Sequence, residues 1–383
     1  MRLIVCLLAL FALALPLRAQ TAFEWQPRER VVFVGDGLIE EAQRYGYFEL
    51  AMTTRWPEHD LSFRNVGWAG DTVWGEARDH YTNPPTAYAH LIEQITTARP
   101  SVVVLGYGGG LAFEEETAIP AFADGLNALL DDLEPTGARC ILLSPIPHEP
   151  RRSPNPSVAV LNERLARTRD TIEALAHQRT CAFVDLYTGL ADAYEQASAP
   201  LTTDGVHLNT EGYRHAATLL LAALHPPPLP RLTVDVRTGQ VEGARLVGPL
   251  HAAQFSLVFP VLAWHPEAPW ILALEGLEAG THTLHADRQP VATATAREWA
   301  RGVRLDLPLE RQQVEALHKA ILEKNALYFR QYRPQNETYL VGFRRYEQGQ
   351  NAAELDQLNP LIDALENDIG RLRMPHPVVF EIR

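Results

Sequence analysis

The chain has 383 residues, 46% of them hydrophobic, and a formal net charge of −13 at pH 7. That acidity argues against nucleic acid or anionic lipid as a partner, because both select a basic surface. The length exceeds what one hydrophobic core usually serves, so two or more domains are expected.

Residues 1–20 have the form of a secretory signal peptide. Arg2 supplies the positive start, Leu3 to Leu17 is almost wholly apolar, and Ala19 is the small residue before Gln20. The apolar run is too short to cross a bilayer and stay there. The expectation is a secreted or periplasmic protein; the alternative is a mature amphipathic or core helix. No later run is long enough for a membrane span. Beyond Cys6, two cysteines remain, Cys140 and Cys181.

From there, short apolar runs alternate with helical patterns. Strands are expected over 31–35, 61–66, 101–107, 139–143 and 181–185, rich in Val, Ile, Leu and Phe. Continuous apolar runs suit strands buried on both faces of a parallel sheet. Helices are expected over 38–56, 84–98, 118–134, 157–178 and 209–224. This alternation predicts a doubly wound three-layer α/β/α sandwich with a parallel five-stranded sheet. Sites in such folds lie beyond the carboxyl ends of the strands. Gly35-Asp36-Gly37, Gly67 to Asp71, Gly108 to Gly110 and Ser144 to Glu149 all follow strands, so they converge on one edge. Cys140 and Cys181 each open a strand. If those strands are neighbours, a disulfide can form in an oxidising compartment; the alternative is two buried thiols.

Pro226-Pro227-Pro228 and Pro230 end this domain with a stiff linker. Residues 231–307 alternate in polarity and read as a small antiparallel β domain. Residues 308–383 read as a C-terminal pair of helices, over 309–329 and 351–373. The polar and aromatic loop between them, from Arg333 to Tyr346, either folds over the strand ends or docks between helices by salt bridges.

The chemistry centres on Asp204-Gly205-Val206-His207, ahead of the last α/β helix. An Asp three residues before a His can orient and charge the imidazole, which then takes a proton from a nucleophile. Gly35-Asp36, the Gly70 of Asn65-Val-Gly-Trp-Ala-Gly-Asp-Thr72, Gly108 and Asp204-x-x-His207 together resemble the SGNH/GDSL hydrolases over about residues 28–225, which implies the flavodoxin-like three-layer α/β/α sandwich of that family. Asp-x-x-His alone is a weak signal; blocks in this order at strand ends are fairly specific.

The resemblance implies an acyl-ester hydrolase with Asp204 and His207 as its proton relay. It places the attacking serine at residue 37 and an oxyanion-binding asparagine at residue 110. Both positions are glycine here. Loss of one oxyanion donor costs on the order of 10²–10³ in rate. Loss of the nucleophile leaves roughly 10³–10⁴ over water. The expectation is a degenerate esterase site that binds a carbohydrate or an acylated small molecule through Gly37, Gly70, Asp36, Gly110 and His148. The alternative is an active esterase or carbohydrate deacetylase using His207 and Asp204 with water or another nucleophile. Asp36, Thr72 and Ser144 are the rescue candidates, each with a structural role as its bland reading. Asp36, His148, Asp204 and His207 carry metal-ligand chemistry, but no close-spaced His pair supports a metal, and no cofactor is expected. Trp68 and Trp74 flank the second block and suit either sugar stacking or core packing.

Overall fold

The computed structural model describes residues 23–79, 86–150, 152, 157–251, 254–265, 270–340 and 344–383. Residues 1–20, expected to be a signal peptide, lie outside the described residues.

Strands β1 (Arg30–Gly35), β2 (Ser62–Asn65), β3 (Val102–Gly106), β4 (Arg139–Leu143) and β5 (Ala182–Val184) form one sheet in the order β2-β1-β3-β4-β5. Every pairing is parallel. Val31, Phe33, Val104 and Ile141 enter the core on one face, and Val32, Val34, Val103 and Leu142 enter the core on the other. Successive side chains point to opposite faces, so burial on both sides demands unbroken apolar runs. The strand order reverses between β1 and β3, and that switch point is where such sheets open a crevice.

The strands are connected by α1 (Gly37–Tyr45) with α2 (Tyr47–Arg55), α3 (Ala87–Thr97), α4 (Ala118–Leu133) and α5 (Val158–Arg179), and α7 (Thr210–Ala223) packs after the last strand. The single helix expected over 38–56 is two, broken at Gly46 with φ 67°. A Cβ there would press on His318, Ile321 and Leu322, so the break also seats the C-terminal helix. Helix α6 (Leu186–Gln196) was not expected; Asp185 caps it by accepting the Thr188 N–H. Cys140 and Cys181 are joined in a disulfide, with Cα atoms 4.9 Å apart.

The β domain holds two sheets. One contains β6 (Leu232–Asp235), β7 (Val241–Glu242), β10 (Trp270–Glu275) and β13 (Val303–Leu305), ordered β13-β10-β6-β7. Its β6–β10 pair is parallel, while the other strand pairings of the β domain are antiparallel, as expected. The other contains β8 (Arg245–Leu246), β9 (Gln254–Val258), β11 (Thr281–Ala286), β12 (Gln289–Thr295) and the last strand, β14 (Val378–Ile382). Helix α8 (Ala296–Arg301) follows β12. The tail beyond 373 is therefore a strand between β9 and β11, not part of a helical extension. Its alternation explains this: Val378 and Phe380 are buried in the β core while Val379 is exposed.

Between the β domain and this strand runs α9 (Pro308–Tyr332), then the single turns α10 (Glu337–Leu340) and α11 (Arg345–Gln348), and α12 (Asn359–Leu372). The segment expected as one helix over 351–373 begins as a 3-10 stretch, and Pro360 in the first turn starts α12. Helix α9 lies against the α/β domain. Lys324 is buried there, 2.9 Å from Glu49 and 3.0 Å from the Phe63 carbonyl. At its other end Glu310 accepts from Trp270 Nε1 and from the Ala263 N–H in the β domain, each at 3.0 Å. Among the described residues no helix is long and apolar enough to cross a membrane.

Candidate active site at the carboxyl edge of the sheet

The first turn leaves β1 at Gly35. Asp36 caps α1, accepting the Leu38 N–H at 3.2 Å through Oδ1. Its Oδ2 accepts the Gly109 N–H at 3.1 Å, which ties this turn to the one after β3. Asp36 is thus a structural tie as well as a wall of the site. Burial pushes its carboxyl up to about 6 against the pull of these N–H donors, and the nearby Asp71 carboxylate adds to the rise. Gly37 opens α1, and a Cβ built on it would meet nothing within 4 Å. A hydroxyl side chain at residue 37 would have room.

The second turn follows β2. Asn65 holds it at both ends, donating to the Ile39 carbonyl and accepting the Gly67 N–H. Gly70 has φ 78°, the left-handed conformation that glycine adopts without strain. Asp71 is buried against Arg78 at 2.7 Å and accepts the Tyr107 hydroxyl at 3.1 Å. Trp68 is buried, with the guanidinium carbons of Arg333 and Arg78 at 4.2 and 5.2 Å from its ring centroid. It is core, not a sugar platform. Trp74 is 41% exposed and remains available.

The last loop carries Asp204 and His207. Asp204 Oδ2 lies 2.7 Å from His207 Nδ1, and Oδ1 accepts the Val206 and His207 N–H groups at 2.9 and 2.8 Å. Burial pushes the Asp204 carboxyl up, but these bonds and the His207 charge together outweigh it and hold the carboxyl down to about 2, so it is ionised at neutral pH. Glu149 anchors the same loop from below. Its carboxylate accepts the Leu201 and Thr202 N–H groups and the Thr202 hydroxyl, and its own N–H donates to the Gly205 carbonyl. His148 is buried, and burial lowers its imidazole pKa; Asp204 opposes the shift and His207 adds to it.

One cavity of about 770 Å³ is lined by Asp36, Gly37, Gly70, Gly110, His148 and His207. The structure therefore brings together every candidate site residue except Asp204, which stands behind His207. Among the described residues neither the Gly37 nor the Gly70 N–H meets an acceptor. Thr72 also lines the cavity, but its hydroxyl donates to Glu76 and accepts the Trp74 N–H. Ser144 is fully buried, donating to the Pro145 carbonyl and accepting the Tyr187 N–H. Among the described residues no group of three or more His, Cys, Asp or Glu is placed to hold a metal ion.

The model of the GDSL-like lipase/acylhydrolase family matches residues 33–215. That span of the chain belongs to this family. It takes in the whole parallel sheet except the first strand residues, and all the turns just described. No curated protein sequence matches the chain. A gut microbial diltiazem-metabolizing enzyme is similar in structure over 94% of this chain and 99% of its own, at 15% identity and a TM-score of 0.70. The likeness is one of fold, and it includes the β domain and the C-terminal helices. An acetylxylan esterase from Geobacillus stearothermophilus aligns over 53% of this chain and 96% of its own, at 17% identity and a TM-score of 0.43. An alpha/beta hydrolase enzyme from the metagenome of Lake Arreo, Spain, aligns over 52% and 96%, at 21% identity and a TM-score of 0.41.

In this GDSL-like domain, sequence reasoning missed the apolar half of the cleft. Phe113 is 63% exposed and its ring centroid is 5.5 Å from that of His148; Leu111, Phe122 and Ile146 continue the wall. An apolar residue just before the Glu114-Glu115-Glu116 run was the available signal. Tyr213 was missed too. It lies on α7, lines the cleft and donates to the Leu38 carbonyl at 2.8 Å.

Proposed function

We propose that this GDSL-like protein is exported, and that it binds an acylated small molecule, or the acylated end of a carbohydrate, without hydrolysing its ester. One observation carries the reading. Among the described residues the Gly37 and Gly70 N–H groups have no acceptor, both residues line the same cavity as His207, and the only side chain at the nucleophile position is a hydrogen atom. Such N–H groups suit an acyl carbonyl oxygen or a carboxylate. His207, oriented by Asp204, offers its other ring nitrogen to the ligand. The rim formed by Phe113, Leu111 and Trp74 covers the apolar body.

A second reading has its own support. Asp36 lines the cleft with its carboxyl raised to about 6, the range of a working base, and it can activate water beside His207. The Leu38 and Gly109 N–H donors already occupy that carboxylate, which favours the binding reading.

Calorimetric titration with octanoate tests the binding reading, because octanoate joins an oxyanion to an apolar chain. The wild type is expected to bind and His207→Ala to bind about tenfold more weakly, the loss of roughly one charge-assisted hydrogen bond. Equal affinity of the two proteins would remove His207 from the ligand site.

A further inference from the structure

We infer that Arg333, at the end of α9, is a positioning residue for the Gly70 turn of the cleft, so the C-terminal extension is part of the ligand site. The inference rests on the binding role proposed for the Gly70 N–H. Its own evidence is a set of contacts on three consecutive residues. The Tyr332 hydroxyl donates to the Gly67 carbonyl at 2.7 Å. The Arg333 guanidinium stacks on Trp68, 4.2 Å from the ring centroid. The same guanidinium is paired with the Glu40 carboxylate, which accepts the Ala69 N–H at 2.6 Å. Gly70 follows directly.

The chain of contacts has a physical direction. Glu40 belongs to α1, three residues after the Gly37 donor, and its carboxylate is nearly buried. A buried carboxylate stays put only when its charge is compensated. Arg333 provides that charge. With Glu40 fixed, the Ala69 N–H is fixed, and the peptide leading into Gly70 takes one orientation. The Gly37 and Gly70 donors are then held at a set distance, through α1 on one side and the turn on the other. Preorganised donors bind an oxyanion far better than donors that must first be ordered.

Docking of α9 does not need this contact. The Lys324–Glu49 pair, with side chains 2% and 6% exposed, anchors the helix nearer its middle, whereas Arg333 is 29% exposed. Arg333→Ala therefore leaves the domains joined and loosens one turn.

The test uses the full chain as wild type, Arg333→Ala and Arg333→Lys. Hydrogen exchange is read on peptides covering 66–72 and, as controls, on the β1 and β3 strands. Arg333→Ala is expected to speed exchange in 66–72 about tenfold, the effect of losing one hydrogen bond to a charged group. The strands are expected to be unchanged, and Arg333→Lys, which keeps the charge beside Glu40, to stay near the wild type. Octanoate affinity is expected to fall about tenfold in Arg333→Ala. Unchanged exchange in 66–72, or equal acceleration in every peptide, overturns the inference. So does altered exchange with unaltered octanoate affinity. If octanoate fails to bind the wild type while the exchange effect holds, the binding role falls and the positioning of the turn stands.

Discussion

Asp204 Oδ2 sits 2.7 Å from His207 Nδ1, while the other oxygen of that carboxylate takes two backbone N–H groups of its own loop. The pair therefore has a loop-holding job that does not depend on a nucleophile. This gives a physical reason for an intact relay beside a glycine at residue 37. The folded-state pKa of Asp204 is depressed to about 2, so its stabilisation is present above about 4 and is lost as pH falls towards 2. Asp204→Asn should lower the unfolding midpoint at pH 7, and the gap to the wild type should narrow between pH 4 and 2. A gap independent of pH would show that the carboxylate charge is not what the loop uses.

Asp36 has the opposite sign. Its folded-state pKa is raised to about 6, so the folded state keeps a proton that the unfolded chain has already lost. Stability should fall as pH rises from about 4 to about 6, by roughly 3 kcal/mol at most. In Asp36→Asn that step should be absent. Denaturant titrations of both proteins across this range check it, and parallel pH profiles would refute the assignment.

The Lys324–Glu49 pair bridges the C-terminal helix and the α/β domain from a fully buried position. Lys324→Met leaves Glu49 buried without a partner and should cost about 3–5 kcal/mol. Lys324→Met with Glu49→Leu should recover most of that, since an apolar pair of similar volume removes both charges. Urea unfolding measures both. Equal instability of the single and double variants would mean that packing, not charge, sets the cost.

The Cys140–Cys181 disulfide closes a loop with a sequence separation of 41. Replacing both by Ser should destabilise the fold by about 3–4 kcal/mol through the entropy returned to the unfolded chain. An unfolding free energy unchanged by reduction of the wild type would contradict this.

Much of this was legible in the sequence because parallel strands buried on both faces must be continuously apolar. Val31 to Val34 and Val102 to Leu105 could hardly form anything else, and their order places the turns at one edge. The Asp204–His207 contact follows from a spacing of three residues within one loop. Other features depended on partners far away in the chain. The break at Gly46 is shaped by His318 and Ile321, and Trp68 is core because Arg333 and Arg78 arrive from other elements. Helix α6 was hidden by Gly189 in its interior, tolerated there because the Leu219 side chain packs where a Cβ would sit. Strand β14 carried a clear alternating pattern, but its partners β9 and β11 lie about a hundred residues earlier.

The central claim is that the cleft holds an acyl ligand under an imidazole with nothing to deprotonate. The most direct test is steady-state hydrolysis of p-nitrophenyl acetate by the wild type, His207→Ala, Gly37→Ser and Gly37→Ser with His207→Ala. The open space at residue 37 predicts that Gly37→Ser gains turnover dependent on His207, held about 10²–10³ below a complete site by the missing donor at Gly110. It predicts that the wild type and His207→Ala are both indistinguishable from buffer. Wild-type turnover that disappears in His207→Ala would contradict the claim and show that the cleft hydrolyses esters by another nucleophile.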